Sequence, residues 1–322
     1  MVRALGLTMS KRILILSDGK AGHENQSRAL CDGLGVPYEV ARVAYPWRLA
    51  KAATYLWDLL GIRSRRWFDV TPFEGTFDAV IGAGSGTFFP VKVLARKLKI
   101  PCAAILFPRG YRLDYDCIVA PAFDNPPPLM NLVPVPVNLT NTNADFYEKG
   151  TAAFLRRHTP SGRPAVGLIL GGPNPFARMD PDDMARQLDR IFAATDGCER
   201  WVTTSRRTPL AVEDLVDRLP FDFKAIYSRD QFNPLPAFVT RCETLFVTSD
   251  STGMISQAVT RGNARVEIVM NLRRTDSKFG RLVRNLARDG HAHIFDGTLG
   301  NARRKIDLAP ALARAATLLK LG

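Results

Sequence analysis

The sequence predicts an α/β protein of two tandem units, each a parallel sheet flanked by helices, and three observations predict it. Short apolar runs alternate with amphipathic segments along the whole chain, the pattern of buried strands separated by helices. That pattern pauses at the turn Thr159-Pro160-Ser161-Gly162-Arg163-Pro164 and restarts with the apolar run Ala165 to Leu170. A length of 322 residues is long for one α/β core and suits two. The hydrophobic fraction of 46% and charged fraction of 23% are those of an ordinary globular protein.

In the first half, strands are expected at Arg12 to Leu16, Tyr38 to Val43, Phe77 to Ile81, Pro101 to Leu106, Cys117 to Ala120 and Leu132 to Val137. Proline-rich Pro121 to Pro136 reads as loop and crossover. A helix fits Ala144 to His158, and the boundary turn follows it. In the second half, strands are expected at Ala165 to Leu170, Arg200 to Thr203, Phe223 to Tyr227, Thr244 to Thr248 and Arg265 to Val269. A last amphipathic helix spans Leu308 to Leu321, placed to cross back onto the first unit. The expected domains are therefore 1–160 and 161–305, with 306–322 as the returning helix.

The formal charge of +13 implies an acidic partner: nucleic acid, an anionic membrane face or a phosphorylated substrate. No zinc-finger spacing, RNA-recognition motif or helix-turn-helix pairing supports nucleic acid. Five scattered cysteines without a C-x-x-C pair read as reduced packing residues of a cytosolic protein, not as a disulfide or zinc framework. The stretch Met1 to Met9 is too short and weakly apolar for a signal peptide, and Met9 is a candidate alternative start. No cofactor or metal is expected.

The densest polar motif is Ser17-Asp18-Gly19-Lys20-Ala21-Gly22-His23-Glu24-Asn25-Gln26, directly after the apolar Ile13-Leu14-Ile15-Leu16. A glycine-bearing loop between a buried strand and a helix brings backbone amides to an anion, and open α/β sheets bind ligands at that end. His23 or Asp18 is the candidate base, and Lys20, Gly22 and Gln26 are candidate ligand contacts. In the second half, three more strand ends carry such residues. Gly171-Gly172-Pro173-Asn174 offers backbone amides. Thr203-Thr204-Ser205-Arg206-Arg207-Thr208-Pro209 joins hydroxyls to two guanidinium groups, a match for a diphosphate. Ser249-Asp250-Ser251 opens a helix and is preceded by Asn233-Pro234. Asp250 or Ser251 is equally well read as a simple helix cap.

Other motifs are weaker. Gly82-Ala83-Gly84-Ser85-Gly86-Thr87 lacks the G-x-G-x-x-G spacing and reads as a close backbone turn beside the ligand, with Gly84 as a contact. Asp114-Tyr115-Asp116 has the D-x-D form of metal-dependent transferases but stands before a strand, so it reads as a solvated turn. His291 and His293 share a face at strand spacing without a third ligand. In Pro46 to Leu60, a narrow polar stripe of Arg48, Lys51, Thr54 and Asp58 leaves a broad apolar face, followed by Arg63, Arg65, Arg66 and Trp67. Such a helix suits either an anionic lipid interface, with Trp47 and Trp57 as anchors, or burial between layers.

Taken together, Ser17 to Gln26, Gly171-Gly172-Pro173, Thr203 to Pro209, Asn233-Pro234 and Ser249-Asp250-Ser251 with Met254 resemble the plant mitochondrial-fission factors called elongated mitochondria and their bacterial relatives. The resemblance covers nearly the whole chain. It implies the GT-B architecture, two Rossmann-like domains facing a cleft, with a nucleotide-diphosphate sugar on the C-terminal one. It further implies a glycosyltransferase-like protein working on a cell-envelope acceptor at the inner face of the membrane. A non-catalytic membrane-associated adaptor and a nucleotide-sugar epimerase are the alternatives. By the same resemblance Gly22-His23 stands near the reacting centre, and Ser205, Arg206 and Ser251 stand near the donor phosphates. Gln257 approaches the ribose, where relatives are expected to carry glutamate.

Overall fold

The computed structural model describes residues 11–141 and 143–321, so the stretch Met1 to Met9, with the candidate alternative start, lies outside the described residues. The chain divides into two compact units, Met1–Thr142 with Leu308–Gly322, and Asn143–Asp307.

The first unit is a seven-stranded sheet formed by β1 (Ile13–Ser17), β2 (Tyr38–Ala44), β3 (Asp69–Val70), β4 (Ala79–Ala83), β5 (Cys102–Ile105), β6 (Cys117–Pro121) and β7 (Leu132–Val135). Its spatial order is β3-β2-β1-β4-β5-β6-β7, parallel throughout except for the antiparallel edge strand β3. Every residue of β1, β4, β5 and β6 is buried, which is why these strands read as continuous apolar runs with no alternation. Helices α1 (Ala21–Leu34), α2 (Arg48–Leu59) and α3 (Phe88–Leu98) connect them.

The second unit begins with α4 (Ala144–Leu155) and contains β8 (Ala165–Ile169), α5 (Pro181–Ala194), β9 (Glu199–Thr203), α6 (Leu210–Arg218), β10 (Phe223–Ala225), α7 (Leu235–Arg241), β11 (Thr244–Thr248), α8 (Thr252–Thr260), β12 (Arg265–Val269), α9 (Lys278–Arg288) and β13 (His293–Ile294). Its six strands are all parallel, in the order β10-β9-β8-β11-β12-β13. The final helix, α10 (Ala309–Leu318), belongs to the first unit, against α1, β6 and β7.

The boundary expected at residue 160 lies instead at 142. Helix α4 is held by the second unit: Phe154 is fully buried, with its ring 4.7 Å from those of Trp201 and Phe223. Gly150 meets Pro236 of α7 so closely that a Cβ there would come within 2.6 Å of the proline ring. The turn 159–164 is an internal connection. It is pinned by the buried Glu199, which accepts from Ser161 N–H (2.7 Å), Ser161 Oγ (2.6 Å) and Trp201 Nε1 (2.8 Å) and pairs with His158. Burial opposes the charge on Glu199, but the donors from Ser161, Trp201 and His158 outweigh it and hold its pKa down to about 2.

Helix α2 does not bury its apolar face between layers. Thr54 and Asp58 of its polar stripe turn to the protein and are 0% exposed, while Leu49 is 74% and Leu59 69% exposed. Thr54 Oγ1 lies 3.2 Å from the Tyr111 hydroxyl, and Asp58 accepts from Lys92 (3.0 Å) and the Arg112 amide (2.7 Å). Polar partners decided which face turned inward. Trp57 is no surface anchor, since it stacks on Trp67 at 5.3 Å and packs against the core, whereas Trp47 is exposed.

Candidate functional site

In each sheet the first strand lies inside, with the next strand on one side and a later one on the other, so the strand order reverses beside β1 and beside β8. The carboxyl ends of strands at such a reversal are where open α/β sheets bind ligands.

In the first unit this edge carries Asp18 and His23. The Asp18 carboxylate accepts from His23 Nδ1 at 3.1–3.2 Å, which places the neutral ring's proton on Nδ1 and leaves the Nε2 lone pair for a substrate. Backbone from the neighbouring strand end makes room for the pair. Gly84 has φ +81°, and a Cβ on it would fall 2.3 Å from the His23 ring, while a Cβ on Gly86 would fall 2.7 Å from that of Asp18. The 84–86 turn is held from behind: Tyr45 donates to Gly86 C=O at 2.8 Å, Tyr111 to Ser85 C=O at 3.1 Å, and Thr87 to Gly84 C=O at 3.0 Å. Burial pushes both phenols up, so they remain neutral donors. Below the pair, Ser17 Oγ donates to Glu24 at 2.6 Å, and that bond and Arg28 lower the Glu24 pKa.

The remaining first-unit candidates are peripheral. Lys20 is exposed, its Nζ 3.8 Å from Asp18. Gly22 is exposed and has nothing within 4 Å of a built Cβ, so packing does not require glycine there. Gln26 donates to Gly22 C=O at 3.3 Å.

In the second unit, most of the candidates form a frame and few are left to meet a ligand. Asp250, fully buried, accepts from the Gly172 amide (2.9 Å), Arg207 Nη2 (2.8 Å) and Asn271 Nδ2 (2.9 Å). Arg207 also donates to Gly172 C=O at 2.7 Å. The Asp250 carboxylate is thereby taken up by donors of the frame, and Arg207, although its side chain is 38% exposed, is tied to that frame. Ser249 donates to Asn271 Oδ1 at 2.7 Å and is buried. Thr204 donates to Glu213 at 2.7 Å and accepts from Tyr227 N–H, so its hydroxyl is likewise spent. Asn233 accepts from the Leu235 amide at 3.1 Å and is a turn residue opening α7. Gly171 and Gly172 are glycine for packing: a Cβ on Gly171 would lie 2.2 Å from Asp250 Oδ2, and one on Gly172 2.1 Å from Arg207 C=O.

Four groups at this edge stay outside the Asp250 frame, three of them with no side-chain hydrogen bond among the described residues and Ser205 with its Oγ accepting from the Arg207 amide at 3.3 Å. Arg206 is exposed and makes no hydrogen bond or ion pair with the described residues. Ser205 is half-buried, its Oγ 3.2 Å from that of Thr208, whose own hydroxyl donates to Gly171 C=O at 2.5 Å. Ser251 stands at the N-cap of α8, one of the two positions the sequence suggested, but makes no side-chain cap bond. Gln257, half-buried on the same helix, has no side-chain hydrogen bond among the described residues. The sequence reading missed Asn271, which joins the strand ends through Ser249 and Asp250, 22 and 21 residues away, so no local motif announces it; Thr208 stood within a quoted motif, but its bond to Gly171, 37 residues away, was not legible.

The competing motifs resolve as structure. Asp114 pairs with Lys92 and with Arg63 (2.7 Å), and Asp116 accepts from the Cys102 amide at 2.8 Å. The D-x-D is thus an exposed turn, as expected, whose carboxylates also brace neighbouring segments. His293 Nδ1 bonds Glu267 at 2.6 Å and His291 Nδ1 bonds Arg304 C=O at 2.9 Å. No group of three metal-ligating side chains occurs among the described residues.

Comparison with known proteins places this geometry. The UDP-GlcNAc 2-epimerase of Methanocaldococcus jannaschii superposes with a TM-score of 0.54 at 13% identity, over 97% of this chain and 93% of its own. A protein of Listeria monocytogenes assigned as a UDP-N-acetylglucosamine 2-epimerase gives 0.52 at 11%, over 96% and 88%. MurG of Acinetobacter baumannii gives 0.46 at 14%, over 95% and 93%. No curated protein matches the sequence. The first two show the fold, the two-unit α/β architecture called GT-B. The mitochondrial fission ELM1 family matches residues 21–320, and the chain belongs to that family.

Proposed function

We propose that the chain binds a nucleotide-diphosphate sugar at the carboxyl edge of the second sheet and transfers the sugar to a hydroxyl of a cell-envelope acceptor. The observation that carries the reading is the contrast between the two arginines. Arg207 is locked into the Asp250 frame, while Arg206 on the same turn is exposed and unpaired among the described residues. A free guanidinium, the Ser205 and Ser251 hydroxyls and an α8 without a side-chain cap suit a diphosphate whose charge grows as it leaves. The nucleotide-sugar substrates of proteins with this fold support the donor class. In this reading the acceptor oxygen attacks the anomeric carbon and the bond to the diphosphate breaks. The acceptor proton passes to His23 Nε2, with Asp18 stabilising the imidazolium. In the same reading Gly84 backs the base, Lys20, Gly22 and Gln26 meet substrate at the rim, and Gln257 contacts the ribose. Titration of uridine diphosphate tests the donor site: Arg206→Ala should weaken binding by at least about tenfold without lowering stability, and the absence of any nucleotide binding to the wild type refutes it.

Attachment to an anionic membrane surface is supported by the inverted α2, whose Leu49, Leu56 and Leu59 are exposed with Leu60, Arg65 and Arg66 close behind. No helix among the described residues is long and apolar enough to cross a membrane; in this reading the exposed leucines and the arginines beside them hold the protein peripherally at the cytoplasmic face. Flotation with anionic vesicles should be lost in Leu56→Ser/Leu59→Ser and weakened by salt; unchanged flotation refutes it.

A further inference from the structure

We propose that a basic hollow at the amino edge of the first sheet binds a phosphate group. The hollow has a volume of about 520 Å³ and lies where β5 begins at Cys102 and where Asp116 precedes β6, the opposite edge from Asp18 and Gly84. Arg63, Arg96, Lys99, Arg112 and Lys320 line it. Its two carboxylates are already engaged. Asp114 is held by Lys92 and Arg63, and Asp116 receives the Cys102 amide. Arg96, Lys99, Arg112 and Lys320 are exposed and have no carboxylate partner among the described residues. Four unbalanced cations around one concavity of ligand size are a counter-charge for a multiply charged anion.

Two further observations point the same way. Arg63, 8% exposed, is paired with Asp58 at 3.1 Å and with Asp114 at 2.7 Å, so the carboxylate on the rim is neutralised from within and leaves the exposed cations unopposed. Lys99 and Lys320 both hold left-handed backbone, at φ +58° and +57°. Each follows a helix end where glycine sits without strain, and lysine stands there in both cases. The ligand chemistry is a phosphate mono- or diester, from a lipid headgroup or a soluble molecule. Gly61 also lines the hollow, between exposed Leu60 and Ile62, and this favours a headgroup; that choice of source rests on the membrane reading above.

The test uses the full chain with inorganic phosphate, followed calorimetrically, and with vesicles of phosphatidylcholine alone or mixed with phosphatidylglycerol. The variant Lys99→Gly/Lys320→Gly removes two charges while relieving the backbone, so its thermal midpoint should not fall. It should lose at least about tenfold in phosphate affinity, in preference for phosphatidylglycerol, or in both, and Arg112→Gln should repeat the loss. Lys149→Gln, an exposed lysine of α4 outside both sites, should leave this binding unchanged. Phosphate binding that falls in the variant while the wild type floats with neither vesicle supports the hollow and removes the membrane reading. A wild type with neither affinity, or a lysine variant that keeps both, overturns the proposal.

Discussion

Replacing Gly84 with alanine should disable the Asp18–His23 pair without touching either residue. The built Cβ lies 2.3 Å from His23 Cε1 and Nδ1, well inside van der Waals contact, so the ring must retreat by about 1 Å or more. The Nδ1 bond to Asp18, already 3.1–3.2 Å, would then exceed hydrogen-bond reach. A side chain at φ +81° adds about 1–2 kcal/mol of backbone strain, which lowers the melting temperature of a unit this size by about 2–8 °C. Turnover should fall by about 10² to 10⁴, the contribution of a positioned base, while uridine diphosphate affinity stays within a few-fold. Gly22→Ala is the control for folding alone: its Cβ meets no protein atom, and alanine in a helix gains up to about 1 kcal/mol, so its melting temperature should not fall. A Gly84→Ala protein that melts lower yet turns over donor at the wild-type rate would refute the placement of the base at His23.

Asp250→Asn turns an amide towards donors in a fully buried frame and should cost about 2–4 kcal/mol in urea unfolding. Arg207→Ala should also destabilise, whereas Arg206→Ala should not; equal stability losses would contradict the division of roles. The folded pKa of Glu199, about 2, lies below its ordinary value of 4.5, so its stabilisation is present above pH 4.5 and is lost as pH falls towards 2. The difference amounts to about 3 kcal/mol. Glu199→Gln should accordingly be less stable than wild type at pH 6 and approach it near pH 2, and a pH-independent gap would remove this residue as the acid-sensitive anchor.

Strands buried on both faces were legible because their composition has no competing reading. Thr244–Thr248 and Arg265–Val269 coincide with expectation to the residue, and β1, β4 and β8 agree within one or two residues at most ends. The two-residue edge strands β3 and β13 carry too few side chains to leave a pattern. The loops that gather polar groups were also legible, but the division of labour within them was not. Arg206 and Arg207 are indistinguishable in sequence and are separated only by where Asp250, 43 residues from Arg207, comes to lie. Periodicity likewise showed two faces on α2 without showing that buried partners for Thr54 and Asp58 would turn the polar one inward.

The most direct test of nucleotide-sugar transfer with His23 as base is a single paired measurement: the uridine diphosphate isotherm beside donor turnover, for wild type and His23→Ala. The account predicts affinities within a few-fold of each other and a loss of turnover of about 10² to 10⁴ in the variant. Undiminished turnover in His23→Ala would contradict the assignment of the base, and a wild type that binds the nucleotide yet transfers or hydrolyses no donor would contradict catalysis itself.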